Sequence, residues 1–358
     1  METAEAWTDF EKKLTSPKWR LNNLYSIENK EAEVVLFQMN PAQEHFYDRL
    51  HNRNIVLKAR QRGFSTLIDL LGLDQCLFNS NTNFGIVADT LDNAKALLAN
   101  KIKFPYRRLD PALRDAVRVI KSNETEIQWS NGSSVRVGAS LRSGTYQILH
   151  ISEYGKICAK SPEKAKEIRT GALNTISPDS FGFIESTAEG QEGDFYDKTR
   201  EARALALSGR ELKRLDWKFH FYSWIGDGSY IEDPNGVSVS AEMREYFSDL
   251  KSKHNIKPSA EQKAWYVLKR KEQKDEMKRE YPSTPDEAFE AAIEGAYFSR
   301  QMAGLREMKR ITSVPYDAAL PVNTFWDLGM SDSMTIWLHQ YDGSCIASLA
   351  IMRIQARG

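Results

Sequence analysis

Two apolar runs, each followed by a helix-like stretch, set the tightest limit on how this 358-residue chain can fold. Residues 54–58 (NIVLK) lead through a Gly-containing turn into the apolar segment STLIDLLGLDQCLF, residues 65–78. The continuous apolar run NFGIVAD (83–89) then leads into the helical pattern LDNAKALLANKI (91–102). Strand, loop, helix, strand, helix is the order of a parallel sheet whose crossovers are helices, so an α/β fold is expected.

Further along, 126–129 and 134–137 flank Asn131-Gly132, a strong hairpin signal. YQILHIS (146–152), FGFIEST (181–187) and WKFHFYSW (217–224) are further strand candidates. Beyond about residue 231 the pattern becomes helical and highly charged, and it stops at Tyr281-Pro282. Thr284-Pro285-Asp286-Glu287 then supplies an N-cap, a Pro at the first helical position and a Glu three residues after the cap. NTFWDLG (323–329) and MTIWLHQ (334–340) read as two strands of another domain. The expected divisions are a leader and adenine-side segment (1–50), an α/β core (51–230), a helical lid subdomain (231–310) and the start of a last domain (311–358).

No apolar run approaches the roughly 18 residues that span a bilayer, and the N-terminus is too polar for a signal peptide. A soluble, intracellular protein is expected. Cys76, Cys158 and Cys345 are far apart and lack metal-ligand spacing, so reduced thiols are expected and no zinc site. The 49 basic and 49 acidic residues cancel, which points to local and transient contacts with nucleic acid rather than a permanent grip.

Between the first strand and its helix stand Lys58, Ala59, Arg60, Gln61, Arg62, Gly63, Phe64, Ser65 and Thr66. This is where a phosphate cradle belongs, because backbone N–H groups and a helix N-terminus converge on an anion there. Against the pattern G-x-x-x-x-G-K-[ST], Gly63 and Ser65 match, Lys58 replaces the first Gly, and Phe64 stands where the Lys belongs. Lys58, Arg60 and Arg62 bring cations from the upstream side that can meet a γ-phosphate, and Ser65 offers a hydroxyl to Mg²⁺. An ordinary basic turn before a helix accounts for the same residues.

The strand 146–152 is followed by Glu153, placed to polarise an attacking water as a general base. Ser152 holds the preceding position, where an Asp commonly supports the Mg²⁺ shell. Glu185-Ser186-Thr187-Ala188 ends the next apolar strand, and its small hydroxyl residues can sense a γ-phosphate or simply form a turn. The amide of Gln43 both donates and accepts, as reading an adenine edge requires.

Gln43, the loop KARQRGFST, the strand-plus-acid ILHISE and EYPSTPDEAF (280–289) before a strand holding Asp327 together resemble the terminase large-subunit family of tailed phages and related viruses. The resemblance spans roughly residues 35–340. It implies a P-loop NTPase core of RecA-like, additional-strand type, with a helical lid and the first strands of an RNase H-like nuclease domain. It assigns adenine contact to Gln43, phosphate contact to Lys58–Thr66, catalysis to Glu153, and coupling to Ser186, Thr187 and Ala188. Ser65 and Glu153 are its Mg²⁺ side. Arg142, in Leu-Arg-Ser-Gly-Thr, matches an Arg-Gly element near the nucleotide, and Arg169 or Arg200 are candidates for an arginine donated in trans. Asp327 matches the first nuclease metal acid, but two-metal cleavage needs several carboxylates. Asp332 beside it reads as a turn residue, so endonuclease activity is not expected of this chain.

The implied activity is an ATP- and Mg²⁺-dependent motor that drives double-stranded DNA into a procapsid. The implied partners are the portal protein, the small terminase subunit and further copies in a ring, with no membrane, in the host cell cytoplasm. Two alternatives stay open on these residues: another P-loop translocase or helicase, and a non-hydrolysing DNA-binding scaffold with a decayed loop.

Overall fold

The fold is taken from a computed structural model, which describes residues 9–290, 314–327, 334–343 and 346–354 together with Leu305, Met308, Arg310 and Thr312. Asp332, Cys345 and most of 291–313, where the helical segment is expected to end, lie outside these residues. The chain divides into two units, Met1–Glu294 and Gly295–Gly358.

The first unit begins with a small antiparallel pair, β1 (Ser26–Glu28) and β2 (Val34–Leu36). Its centre is an eight-stranded sheet of β3 (Arg53–Lys58), β4 (Asn83–Val87), β5 (Val119–Ser122), β6 (Glu126–Trp129), β7 (Ser134–Gly138), β8 (Tyr146–Ser152), β9 (Ile176–Ser186) and β10 (Lys218–Tyr222). The order is β10-β3-β9-β8-β4-β7-β6-β5. From β10 to β7 every pairing is parallel, and β6 and β5 add an antiparallel edge. The strand after the loop helix, β4, is not the neighbour of β3. The acid strand β8 is separated from β3 by β9, which is the inserted strand that defines the additional-strand type.

All six residues of β3 are buried, because helices cover both faces of the parallel region. Strand alternation sorts the core in two. Val56, Phe84, Ile86, Ile148 and Phe183 pack with the helix Phe64–Phe78 on one face. Ile55, Leu57, Val87, Leu149, Ile151 and Ile184 pack with Tyr154, Ile157, Ile168 and Phe195 on the other. On the first face the apolar series ends in polar residues at the carboxyl edge: Lys58, His150, Ser152 and Glu185. A third cluster of Trp224, Tyr230, Met243, Phe247, Tyr266, Met277 and Tyr281 joins the helices Ala241–His254 and Ala260–Gln273.

Most expected elements are present, including the Asn131-Gly132 hairpin, with Gly132 at φ 82°, and the strand over 146–152. The strand expected over 181–187 instead starts at Ile176. The buried Arg53 guanidinium gathers the carbonyls of Ser180 (2.7 Å), Ser177 (3.1 Å) and Ile176 (3.4 Å). The segment stays in the sheet as an irregularity in the β8–β9 register.

The second unit holds an antiparallel sheet of β11 (Asn323–Asp327), β12 (Met334–Tyr341) and β13 (Ile346–Ile354). The sequence pattern does not reveal β13, because its near-continuous apolar run does not separate strand from helix by period. Among the described residues no helix is long and apolar enough to cross a membrane.

Candidate active site

The loop after β3 turns back on itself with Gln61 at φ 55° and Gly63 at φ 76°. A side chain at 63 would carry the left-handed penalty and would also meet the Gln43 amide nitrogen at 2.8 Å. Ala59 N–H and Arg60 N–H donate to the carbonyls of Tyr222 and Glu280, which fixes the loop's first half. The helix Phe64–Phe78 then starts with no side-chain cap, so its first turn is free to face an anion.

Phe64 explains why the loop departs from the usual pattern. Its ring is buried against Phe46 (5.5 Å between centroids) and Tyr222 (4.4 Å), so position 64 points into the core. A lysine there would bury its ammonium among aromatic rings.

The three loop cations behave differently from the joint role expected of them. Lys58 turns into the sheet's carboxyl edge, 3.0 Å from Glu185 and 3.2 Å from Glu153. Arg60 is half-exposed and pairs with Glu280, in the EYPSTPDEAF segment. Arg62 is buried and pairs with Asp227 at 2.6 Å. Both guanidiniums thus tie the loop to the aromatic helical cluster, and of the three it is Lys58 that faces the acids.

Glu153 follows β8 at φ 53°, left-handed for a non-glycine residue, a conformation that concentrates at functional sites. Its side chain keeps 32% exposure, in reach of water. The acid that sequence reasoning misses is Glu185. In the sheet Ser152 pairs with Glu185, and Glu185 pairs with Val56, so its side chain lies on the same face as those of Lys58, Ser152 and His150. One carboxylate oxygen accepts from Ser65 Oγ (2.7 Å) and Ser152 Oγ (2.8 Å) and lies 3.4 Å from His150 Nε2, while the other faces Lys58. Behind it, His150 Nδ1 meets Asp69 at 2.7 Å.

Burial alone would raise the Glu185 pKa, but Lys58, His150 and Ser65 overcome this and hold it well below the usual carboxylate range. Burial likewise opposes charge on Lys58, and Glu185 with Glu153 reverses the effect and raises its pKa. His150, which burial would lower, is raised to about 9 by Asp69 and Glu185. Only the neighbouring strand's register could have revealed Glu185. The hint in sequence was an acid and a histidine inside otherwise apolar strands.

The remaining candidates fall in several places. Gln43 is buried and closes a capping box as the third helical residue: its Oε1 accepts from Asn40 N–H (2.9 Å) and its Nε2 donates to Gly63 O (2.7 Å). With these bonds it braces the glycine turn. Ser186 Oγ and Thr187 Oγ1 are buried without hydrogen-bond partners. A Cβ at Gly155, just past Glu153, would meet Thr187 O at 2.7 Å and Ser186 Oγ at 2.9 Å, so this segment packs directly on the helix that Glu153 begins. Ala188 is buried beside it, and Thr66 is half-buried in the first helical turn. Arg142 is exposed and pairs with Glu167 (2.6 Å), so its ion pair lies outside the Lys58 group. Arg169 lies 3.4 Å from Asp194, and Arg200 stacks on Tyr196.

In the second unit Asp327 is exposed at the end of β11 opposite Thr335. Among the described residues no group of three or more His, Cys, Asp or Glu side chains is arranged to hold a metal ion by itself. Cys76 and Cys158 are free and buried.

No family model and no curated protein matches the chain. Among solved structures it is similar to the large terminase ATPase domain of Thermus phage P74-26, with 15% identity over 68% of this chain and 93% of that one at a TM-score of 0.41. It is also similar to the large terminase of a thermophilic bacteriophage in complex with ADP, with 12% identity and a TM-score of 0.37 over 89% of this chain and 65% of that one. The Phi-28 gp11 DNA packaging motor matches at 10% identity and a TM-score of 0.33, over 86% and 78%. At these scores the likeness carries none of the chemistry, which rests on the side chains above.

Proposed function

We propose that this chain is an ATP-hydrolysing motor of the terminase type that moves double-stranded DNA into a procapsid. One observation carries the reading. Lys58 stands between two acids at the carboxyl edge of an additional-strand sheet, beside a glycine turn and an uncapped helix N-terminus.

The nucleotide's phosphates would lie over Gln61–Thr66. Lys58, already at 3.2 Å from Glu153, is placed to pass from that carboxylate to the γ-phosphate and so free Glu153 to act as a base. Water then attacks the γ-phosphorus, the bond to the ADP oxygen breaks, and the water's proton goes to Glu153. The oxygens of Ser65, Glu153 and Glu185 suit Mg²⁺, which prefers one or two carboxylates plus substrate phosphates to a complete protein cage. When bound, that ion neutralises charge on the β- and γ-phosphates.

The unpaired Ser186 and Thr187 hydroxyls are suited to sensing phosphate loss. The Arg60–Glu280 and Arg62–Asp227 ties connect the same loop to the helical part of the unit. Duplex DNA, the portal protein, the small terminase subunit and a ring of copies in the host cytoplasm belong to this proposal through the motif resemblance, as does an arginine in trans.

Glu153→Gln tests the core of the reading. Nucleotide affinity should persist while phosphate release, measured with and without duplex DNA, falls about 10²–10⁴-fold, the usual contribution of a general base. Turnover at the wild-type rate would remove Glu153 from this role, and no phosphate release from the wild type on duplex DNA would remove the motor.

A further inference from the structure

Position 152, next to the proposed general base Glu153, is a neutral serine, yet the site is not short of negative charge there. The register places Glu185 of β9 directly beside Ser152 of β8, and its carboxylate takes the hydroxyls of both Ser152 and Ser65. The cluster of Asp69, Glu153 and Glu185 contains three carboxylates against Lys58 and His150. Even with His150 protonated, one negative charge is left over, and with His150 neutral there are two. Glu153 shares this surplus with water, but Asp69 and Glu185 are fully buried, and negative charge there favours a further cation.

We infer that Glu185 is the positioning acid of the site: from the inserted strand it aims the Ser65 hydroxyl and the Lys58 ammonium, and serves the divalent cation that arrives with the nucleotide, in place of a carboxylate at 152. The inference rests on the nucleotide reading given above. It is more specific, since it transfers a role from one strand to its neighbour. Glu185 is fully buried, so it acts through Ser65 and through water held on the ion rather than by touching substrate. Behind it, the Asp69–His150 pair places His150 Nε2 3.4 Å from the carboxylate.

The test is ADP binding to the full chain by calorimetry, with excess Mg²⁺ and with chelator, for the wild type, Glu185→Gln and the double variant Ser152→Asp/Glu185→Gln. Thermal unfolding of each variant is followed in parallel. In the wild type Mg²⁺ should strengthen ADP binding. Glu185→Gln should lose about tenfold of that gain, as expected for one charge-assisted contact. The double variant should regain the gain, because the carboxylate has returned to the neighbouring strand at the same level. A folded Glu185→Gln with the full Mg²⁺ gain overturns the inference. If Glu185→Gln does not fold, the double variant decides: a Mg²⁺ gain supports the exchange of strands, and its absence overturns it. Failure of the wild type to bind ADP under either condition would instead overturn the nucleotide reading itself.

Discussion

Two of the buried glutamates in the first unit, Glu185 and Glu287, have surroundings that could hardly differ more. Glu185, at 0% exposure, has a lysine, a histidine and two hydroxyls around it, and its pKa is held down. Glu287, at 5%, sits in the aromatic helical region. It accepts from Tyr246 Oη (2.6 Å), Tyr266 Oη (3.4 Å) and the Ser283 N–H (3.2 Å). Among the described residues no lysine or arginine forms an ion pair with Glu287, and burial raises its pKa. The contrast separates two uses of a buried acid. Around Glu287 the neighbours are neutral donors whose rings also fill the core, so the group helps to shape the packing. Around Glu185 charge is concentrated at a sheet edge, with a strained catalytic candidate next to it. The first arrangement tolerates a proton on the acid, and the second is built for the anion.

Removing the cation should erase that difference. Lys58→Met leaves Glu185 buried with only His150 to balance it, and breaking a buried pair in this way costs about 3–5 kcal/mol. The loss would appear as a lower midpoint in chemical denaturation. Lys58→Met/Glu185→Gln should recover much of it, since the buried carboxylate is gone and Glu153, the other partner of Lys58, keeps 32% exposure to water. If Lys58→Met proved as stable as the wild type, the pair at 3.0 Å would contribute nothing, and the charged cluster would not be the stability-critical feature proposed.

The aromatic side should respond less. Tyr246→Phe removes one hydroxyl shared between Ser283 (2.7 Å) and Glu287, with the ring stack on Tyr266 kept. The expected cost is about 1.5–3 kcal/mol, as for a hydrogen bond to a charged group. Nucleotide affinity should be unaffected, and a coupled loss of affinity would show that the two regions act as one.

How far the chain could be read in advance follows from the same contrast. The parallel core was legible because β3 and β8 have apolar centres (Ile55–Leu57 and Ile148-Leu149) and helices follow them. Glu153 was legible because it ends such a strand. Glu185 was not, because its role depends on which strand lies beside β8, and chain order does not say that β9 is inserted between β8 and β3. The partners of Arg60 and Arg62 were hidden for a similar reason, since Glu280 and Asp227 come from distant segments brought in by the aromatic cluster. Phe64 appeared as a missing lysine, and only the packing with Phe46 and Tyr222 shows that the position belongs to the core. Gln43 does lie against the loop, but its capping-box geometry commits the amide to Asn40 and Gly63.

The finest test concerns pH. Burial is the main cause that raises the Glu287 pKa above its ordinary 4.5; Tyr246, Lys278 and the Ser283 N–H act against it, and Glu290 adds to it. The folded state therefore keeps a proton that the unfolded chain has already lost. Through the window that starts near pH 4.5 and runs up to the raised folded value, the native state binds more protons than the unfolded state. Stability from this group is then fully present below the window and declines as pH rises through it, by at most about 1.4 kcal/mol per pH unit for one proton. Glu185 has the opposite sign: its contribution is present above the ordinary carboxylate range and is lost on acidification. Glu287→Gln should accordingly flatten the neutral side of the stability–pH curve and leave the acid limb in place. A variant curve parallel to the wild type across that window would mean that Glu287 titrates alike in both states, and that the tyrosine hydroxyls offset its burial completely.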